Sequence, residues 1–198
     1  MNYLAHAYLS FGHEEILTGN LISDFVKGKK KFDYPTGIQH GIALHRAIDN
    51  FTDTHPASKE AKEVFRPNYR LYAAAFTDVV YDHFLAIDEK EFTDDSLFTF
   101  SQWTYSTLEK QNRWLPERFA ITFPYMKTQN WLYGYRTRKG IEYSFNGLVR
   151  RARYLDESQI AFRLFEQHYQ LLQECYRHFW AEVKSFAKNE FDFLTMNN

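Results

Sequence analysis

The stretch from His40 to Asp53, H-G-I-A-L-H-R-A-I-D-N-F-T-D, constrains the fold more than any other. Residues four apart in a helix lie one above the other, so His45, Asp49 and Asp53 form a polar ridge beside Ile38, Ile42, Ala47, Ile48 and Phe51. Such a ridge borders a core face. The run from Thr77 to Leu85, T-D-V-V-Y-D-H-F-L, repeats the device: Asp78 and Asp82 are four apart, His83 follows, and Val79, Val80, Tyr81, Phe84 and Leu85 surround them. Two such helices facing each other could hold a divalent metal.

The rest of the chain reads as helices separated by turn residues. Met1 to Leu9 is a short apolar helix with one imidazole, His6. After Gly12, the acids Glu14 and Glu15 suit a helix start, and that helix is expected to run to Val26, with Gly28 as its stop. It stacks Asp24 over Asn20 at the edge of an apolar stripe of Ile16, Leu17, Leu21 and Phe25. A buried carboxylate without a partner is costly, so Asp24 is either exposed or bound to something positive. Pro35 starts the next helix and His55-Pro56 ends it. Ala57 to Phe65 forms a short helix broken at Arg66-Pro67, and Tyr69 to Ile87 a longer one. Ser96 to Trp114 and Pro116 to Met126 follow, Gly134 and Gly140 punctuate an aromatic and a basic segment, and Glu157 to Phe191 is the last helix, capped by Asp156 or Ser158.

No apolar-polar alternation and no strand-helix-strand rhythm occurs, so the expected fold is all-α. With 198 residues and no linker or repeat, residues 1–198 are expected to form a single-domain helical bundle. The single cysteine, Cys175, cannot form an internal disulfide, which fits a reducing cytoplasm. No apolar run approaches the roughly 20 residues of a membrane span, and no secretory signal opens the chain, so no membrane partner is expected. The net charge of −1 says little about partners, because it hides basic concentrations at Lys27–Lys31 and Arg136–Arg153; no nucleic-acid partner is expected. Phosphate-binding glycine loops, G-x-S-x-G, paired CxxC and H-E-x-x-H are all absent. What remains is a set of histidines and carboxylates on separate helices. Oxygen and imidazole donors without thiolates favour Mn²⁺, Mg²⁺ or Fe²⁺ over structural zinc.

The segments M-N-Y-L-A-H-A-Y-L, G-N-L-I-S-D-F-V-K-G, G-I-A-L-H-R-A-I-D-N-F-T-D, T-D-V-V-Y-D-H-F-L and G-L-V-R-R-A-R-Y-L resemble acyl carrier protein phosphodiesterase, in order and over almost the whole chain. The resemblance implies an all-helical fold akin to the HD-domain phosphohydrolases. It also implies metal-dependent removal, usually with Mn²⁺, of the phosphopantetheine arm from holo acyl carrier protein. The chain has no adjacent His-Asp dipeptide, so the metal set of an ordinary HD protein cannot be copied over. On chemistry, His45, Asp49 and Asp78 are the expected metal ligands, with Asp24 completing or supporting the shell. Asp82 or His83 is the expected proton acceptor or ligand-orienting group, and His6 and Asn20 are expected to hydrogen-bond the phosphate or assist the leaving serine oxygen. His83 is equally readable as a hydrogen-bonded core histidine. Because acyl carrier proteins are small and acidic, Lys29, Lys30 and Lys31, with Arg150, Arg151 and Arg153, are the expected docking charges. Two rival readings are a metal phosphohydrolase acting on a nucleotide or small phosphate ester, and a non-catalytic helical metal-binding protein. The oligomeric state is left open.

Overall fold

A computed structural model describes residues 1–152, 155 and 157–196. It is 83% helical, and no strand occurs among the described residues. The elements are α1 (Tyr3–Tyr8), α2 (Glu14–Ile22), α3 (Thr36–Thr54), α4 (Pro56–Tyr69), α5 (Ala73–Ala86), α6 (Asp94–Lys110), α7 (Glu117–Thr128), α8 (Trp131–Gly134), α9 (Arg138–Arg151), α10 (Gln159–Gln167) and α11 (Tyr169–Met196). Short 3₁₀ turns cover Ser23–Phe25, Gly28–Asp33, Arg70–Tyr72 and Asn112–Trp114. No helix among the described residues is long and apolar enough to cross a membrane.

Local chemistry sets several helix starts. His13 accepts the Ile16 N–H at the start of α2, ahead of the acidic pair Glu14 and Glu15. At the start of α4 His55 does the same for Ala57, with Pro56 in the first turn, and a reciprocal box between Thr93 and Ser96 opens α6. The expected helix through Val26 stops at Ile22 and tightens into the 3₁₀ turn that carries Asp24. At 3.0 residues per turn, this turn rotates Asp24 off the face that Asn20 occupies. Asn20 is consequently buried while 76% of the Asp24 side chain is exposed.

Further boundaries differ from expectation, among them the start of the helix expected from Tyr69, which falls at Ala73 after the turn Arg70–Tyr72. Helix α4 continues through Arg66-Pro67 to Tyr69. Pro67 sits in the last turn on the exposed face, where the carbonyl it leaves unpaired is within reach of water. Meanwhile Phe65 and Tyr69 bury the opposite face, and the Tyr69 hydroxyl accepts the Ala161 N–H at 2.8 Å. The expected final helix is two helices, α10 and α11, parted at His168, whose φ of −108° and ψ of 21° leave the helical region. Of its expected caps, Ser158 donates its hydroxyl to Asn146 instead, and Asp156 lies outside the described residues.

Helix α3 packs along α2 on one side and α11 on another, and α5 lies between α1, α4 and α9. From Val79 to Ala86 every residue of α5 is buried, so this helix has no solvent face along that stretch. Phe65, Phe76, Phe145 and Phe165 form an aromatic layer around α5, with Phe76 and Phe145 edge to face at 5.0 Å between centroids. Helices α2 and α3 approach closely. A Cβ at Gly19 would fall 2.0 Å from the Ile38 carbonyl oxygen, and one at Gly41 would fall 2.1 Å from that of Ile16. Only glycine at both positions permits this crossing, and it sets the distance from α2 to the ridge on α3.

Candidate metal centre

Four elements meet at one cluster: α1 brings His6, α2 brings Asn20, the following 3₁₀ turn brings Asp24, and α3 brings His45 and Asp49. The Nε2 atoms of both histidines point at one carboxylate. His6 Nε2 is 3.2 Å from Asp49 Oδ1, and His45 Nε2 is 3.0 Å from Asp49 Oδ2 and 3.2 Å from Asp24 Oδ1. The two imidazoles stack at 4.0 Å between centroids with 19° between planes. One donor atom from each of His6, His45 and Asp49 lies within 4.8 Å of the others.

The outer nitrogens are held by α2. His45 Nδ1 lies 2.7 Å from the Asn20 backbone oxygen and His6 Nδ1 lies 2.8 Å from Asn20 Oδ1. Both partners are acceptors, so both Nδ1 atoms carry hydrogen, and either ring, when neutral, turns an Nε2 lone pair inward. For His6 this sets a lone pair against a carboxylate oxygen, and its buried Nε2 has no hydrogen-bond partner. Two facing acceptors repel, and a cation between them removes the conflict.

The charges follow the same geometry. Burial and the neighbouring His45 push His6 down to about 4. Burial also lowers His45, but the hydrogen bonds to Asp24 and Asp49 outweigh it and lift this imidazole to about 9. A proton on His45 Nε2 then occupies the position between the carboxylates. Against its burial, Asp49 is held well below the usual carboxylate range, chiefly by the hydrogen bond from His45, and that same imidazole lowers Asp24. Imidazole and carboxylate donors around an electron-rich gap fit a divalent cation.

The other expected site residues are distributed differently. Asp78 accepts from the buried Met1 α-ammonium at 3.0 Å, and the same ammonium lies 3.7 Å from Asp49. The ammonium is raised to about 10 because Asp78 and Asp49 outweigh its burial. Asp78 thus stands behind Asp49, with a cation already beside it. Asp82 is fully buried and accepts the Leu4 and Ala5 N–H groups at 2.7 and 3.1 Å, capping the first turn of α1 from α5. His83 turns the other way, with Nδ1 2.7 Å from the Tyr135 carbonyl oxygen and Nε2 3.0 Å from the Tyr169 hydroxyl. Lys29 and Lys30 are exposed and Lys31 half-buried on the 3₁₀ turn Gly28–Asp33. Arg150 and Arg151 are exposed at the end of α9, and Arg153 lies outside the described residues. Asp53 forms an ion pair with Lys62 at 2.7 Å, away from the cluster. Sequence reasoning missed the contribution of Met1, because spacing along a helix carries no information on a main-chain amine.

The family profile for acyl carrier protein phosphodiesterase matches residues 1–183. The chain is 35% identical over 191 residues to the acyl carrier protein phosphodiesterase of Enterobacter sp. (strain 638), covering 96% of this chain and 99% of that protein. It is 32% identical over 197 residues to the protein of that name from Photorhabdus laumondii subsp. laumondii, covering 99% of each. With that from Salmonella paratyphi A it shares 33% over 188 residues, covering 94% of this chain and 97% of the relative. No solved structure matches the chain. From its first helix into its last, over nearly the full length of those relatives, the chain belongs to the acyl carrier protein phosphodiesterase family.

Proposed function

We propose that this protein hydrolyses the phosphodiester joining phosphopantetheine to the serine of holo acyl carrier protein, acting in the cytoplasm as one domain over residues 1–198. The near full-length match to relatives named acyl carrier protein phosphodiesterase carries this reading. Water adds across the bond between phosphorus and the serine oxygen. The serine hydroxyl regains its proton, and the phosphate leaves on the pantetheine arm.

His6, His45 and Asp49 would hold a divalent cation, Mn²⁺ by preference, with Asp24 as a further donor on the exposed side. When bound, that ion supplies Lewis-acid stabilisation of the charge that develops on the phosphoryl oxygens. Asp78 and the Met1 ammonium hold Asp49 from behind, limiting the orientations open to its carboxylate. Asp82 fixes α1, and hence His6, while His83 joins α5 to the segment before α9 and to α11. These assignments replace the expected base roles of Asp82 and His83 with positional ones, because the atoms that would move a proton are already engaged in the interior. Docking of an acidic carrier falls to Lys29, Lys30 and Lys31 and to Arg150 and Arg151.

The test is to incubate the protein with holo acyl carrier protein and Mn²⁺ and to weigh the carrier. Its mass should fall to that of the apo form, and chelator should stop the reaction. An unchanged mass with Mn²⁺, Mg²⁺ and Fe²⁺ would remove this function.

A further inference from the structure

Asn20 is fully buried, and each polar atom of its side chain is engaged. Its Nδ2 donates to the His6 carbonyl oxygen at 2.8 Å and to Ser10 Oγ at 3.1 Å. Ser10 spends its own hydroxyl hydrogen on the His6 carbonyl at 2.9 Å, leaving its oxygen free to accept. The amide therefore has one satisfactory orientation, because flipping it would aim an acceptor at the His6 carbonyl. Its Oδ1 is thereby committed to His6 Nδ1. The backbone oxygen of the same residue lies in the last turn of α2, among the carbonyls that lack an intrahelical partner, and it receives His45 Nδ1. This contact is possible because Gly19 and Gly41 let α2 and α3 touch one turn before His45.

We propose that Asn20 is the positioning residue of the site, setting the tautomer and ring orientation of both histidines at once, His6 through its side chain and His45 through its backbone. This differs from contact with the phosphate, which a buried and fully engaged amide cannot make. The proposal rests on the metal-site reading above for its consequence, and on hydrogen bonding alone for its geometry. It also carries an internal control, since a side-chain substitution removes the partner of one imidazole and leaves that of the other in place.

The experiment is two-bond ¹H–¹⁵N NMR of the metal-free protein at a pH high enough to neutralise both rings, with Mn²⁺ affinity measured separately. In the unsubstituted protein both rings should carry hydrogen on Nδ1; an Nε2–H tautomer on either would overturn the proposal without any variant. In Asn20→Leu, His6 should lose its Nδ1–H preference while His45 keeps its own, and Mn²⁺ should bind roughly 10- to 100-fold more weakly. Asn20→Asp, which keeps the acceptor and loses the same two donors, should hold His6 as Nδ1–H. An unaltered His6 tautomer in Asn20→Leu sinks the proposal. A shifted tautomer with unchanged Mn²⁺ affinity sustains the positioning role and removes the metal reading instead.

Discussion

On α3, Asp49 stands one turn after His45 and faces a second imidazole, with 39% of its side chain open to solvent. On α5, Asp82 stands one turn after Asp78, with His83 next to it, and neither Asp82 nor His83 is more than 2% exposed. Both runs place aspartate and histidine beside an apolar face with polar residues four apart, and the difference lies in what the neighbouring chain has already supplied. Asp82 receives two main-chain N–H groups and His83 a carbonyl and a phenol, so their hydrogen-bonding capacity goes to joining helices. At Asp49 the partners are two imidazoles, one of which, His6, turns a buried Nε2 without a hydrogen-bond partner toward the carboxylate, and donor atoms of all three residues lie close enough together to hold a cation. A polar residue in a core that is satisfied by protein groups holds the fold together. One that is left partly unsatisfied is available for chemistry.

Four measurements can break or sharpen this contrast. Asp49→Ala should have the largest effect: loss of at least about 10²-fold in turnover of holo carrier protein, with weaker Mn²⁺ binding and an unchanged helical circular dichroism spectrum. Near wild-type turnover would mean that α3 does not carry the site. Asp82→Ala should act mainly on stability. Two buried N–H groups lose their acceptor, at a cost on the order of 3 kcal/mol, which for a chain of this size lowers Tm by roughly 6–12 °C. Lost turnover at an unchanged Tm would place Asp82 in the chemistry and collapse the distinction between the two helices.

The third measurement uses pH on the α5 side. Burial pushes His83 down to about 4, so the folded protein binds fewer protons than the unfolded chain between that value and the ordinary 6.5. Stability contributed by neutral His83 is therefore fully present above about pH 6.5 and is lost as pH falls toward 4. Unfolding of wild type and His83→Gln across that window should show the wild type losing on the order of 3 kcal/mol more on acidification. Parallel profiles would show that His83 titrates as it does in the unfolded chain. The smallest effect is expected from charge reversal of Lys29, Lys30 and Lys31 together to Glu. KM for holo carrier protein should rise several-fold and its salt dependence flatten, with kcat little changed. A small phosphodiester should be cleaved as before, and equal losses on both substrates would rule out the basic turn as a docking surface.

The helical class, the two polar-edged helices and the family resemblance were legible from residue types and spacing, because helix periodicity and turn chemistry act over a few residues. Those same local rules placed His45 over Asp49 without reference to any other element. The sequence could not distinguish Asp49 from Asp82, since the distinction depends on which atoms α1 and α2 bring to each. Nor could spacing show that Pro67 lies on the exposed face of α4, or that α2 tightens after Ile22 and turns Asp24 outward. His6 is 39 positions from His45 and Asn20 is 25 from it, so their meeting depends on the Gly19–Gly41 contact and on Asp82 anchoring α1. By itself the sequence determined the helices and the residue types available for chemistry. Only the tertiary structure decided which carboxylates are consumed by main-chain N–H groups and which are left facing imidazoles, because hydrogen bonds form between segments that are distant in the chain.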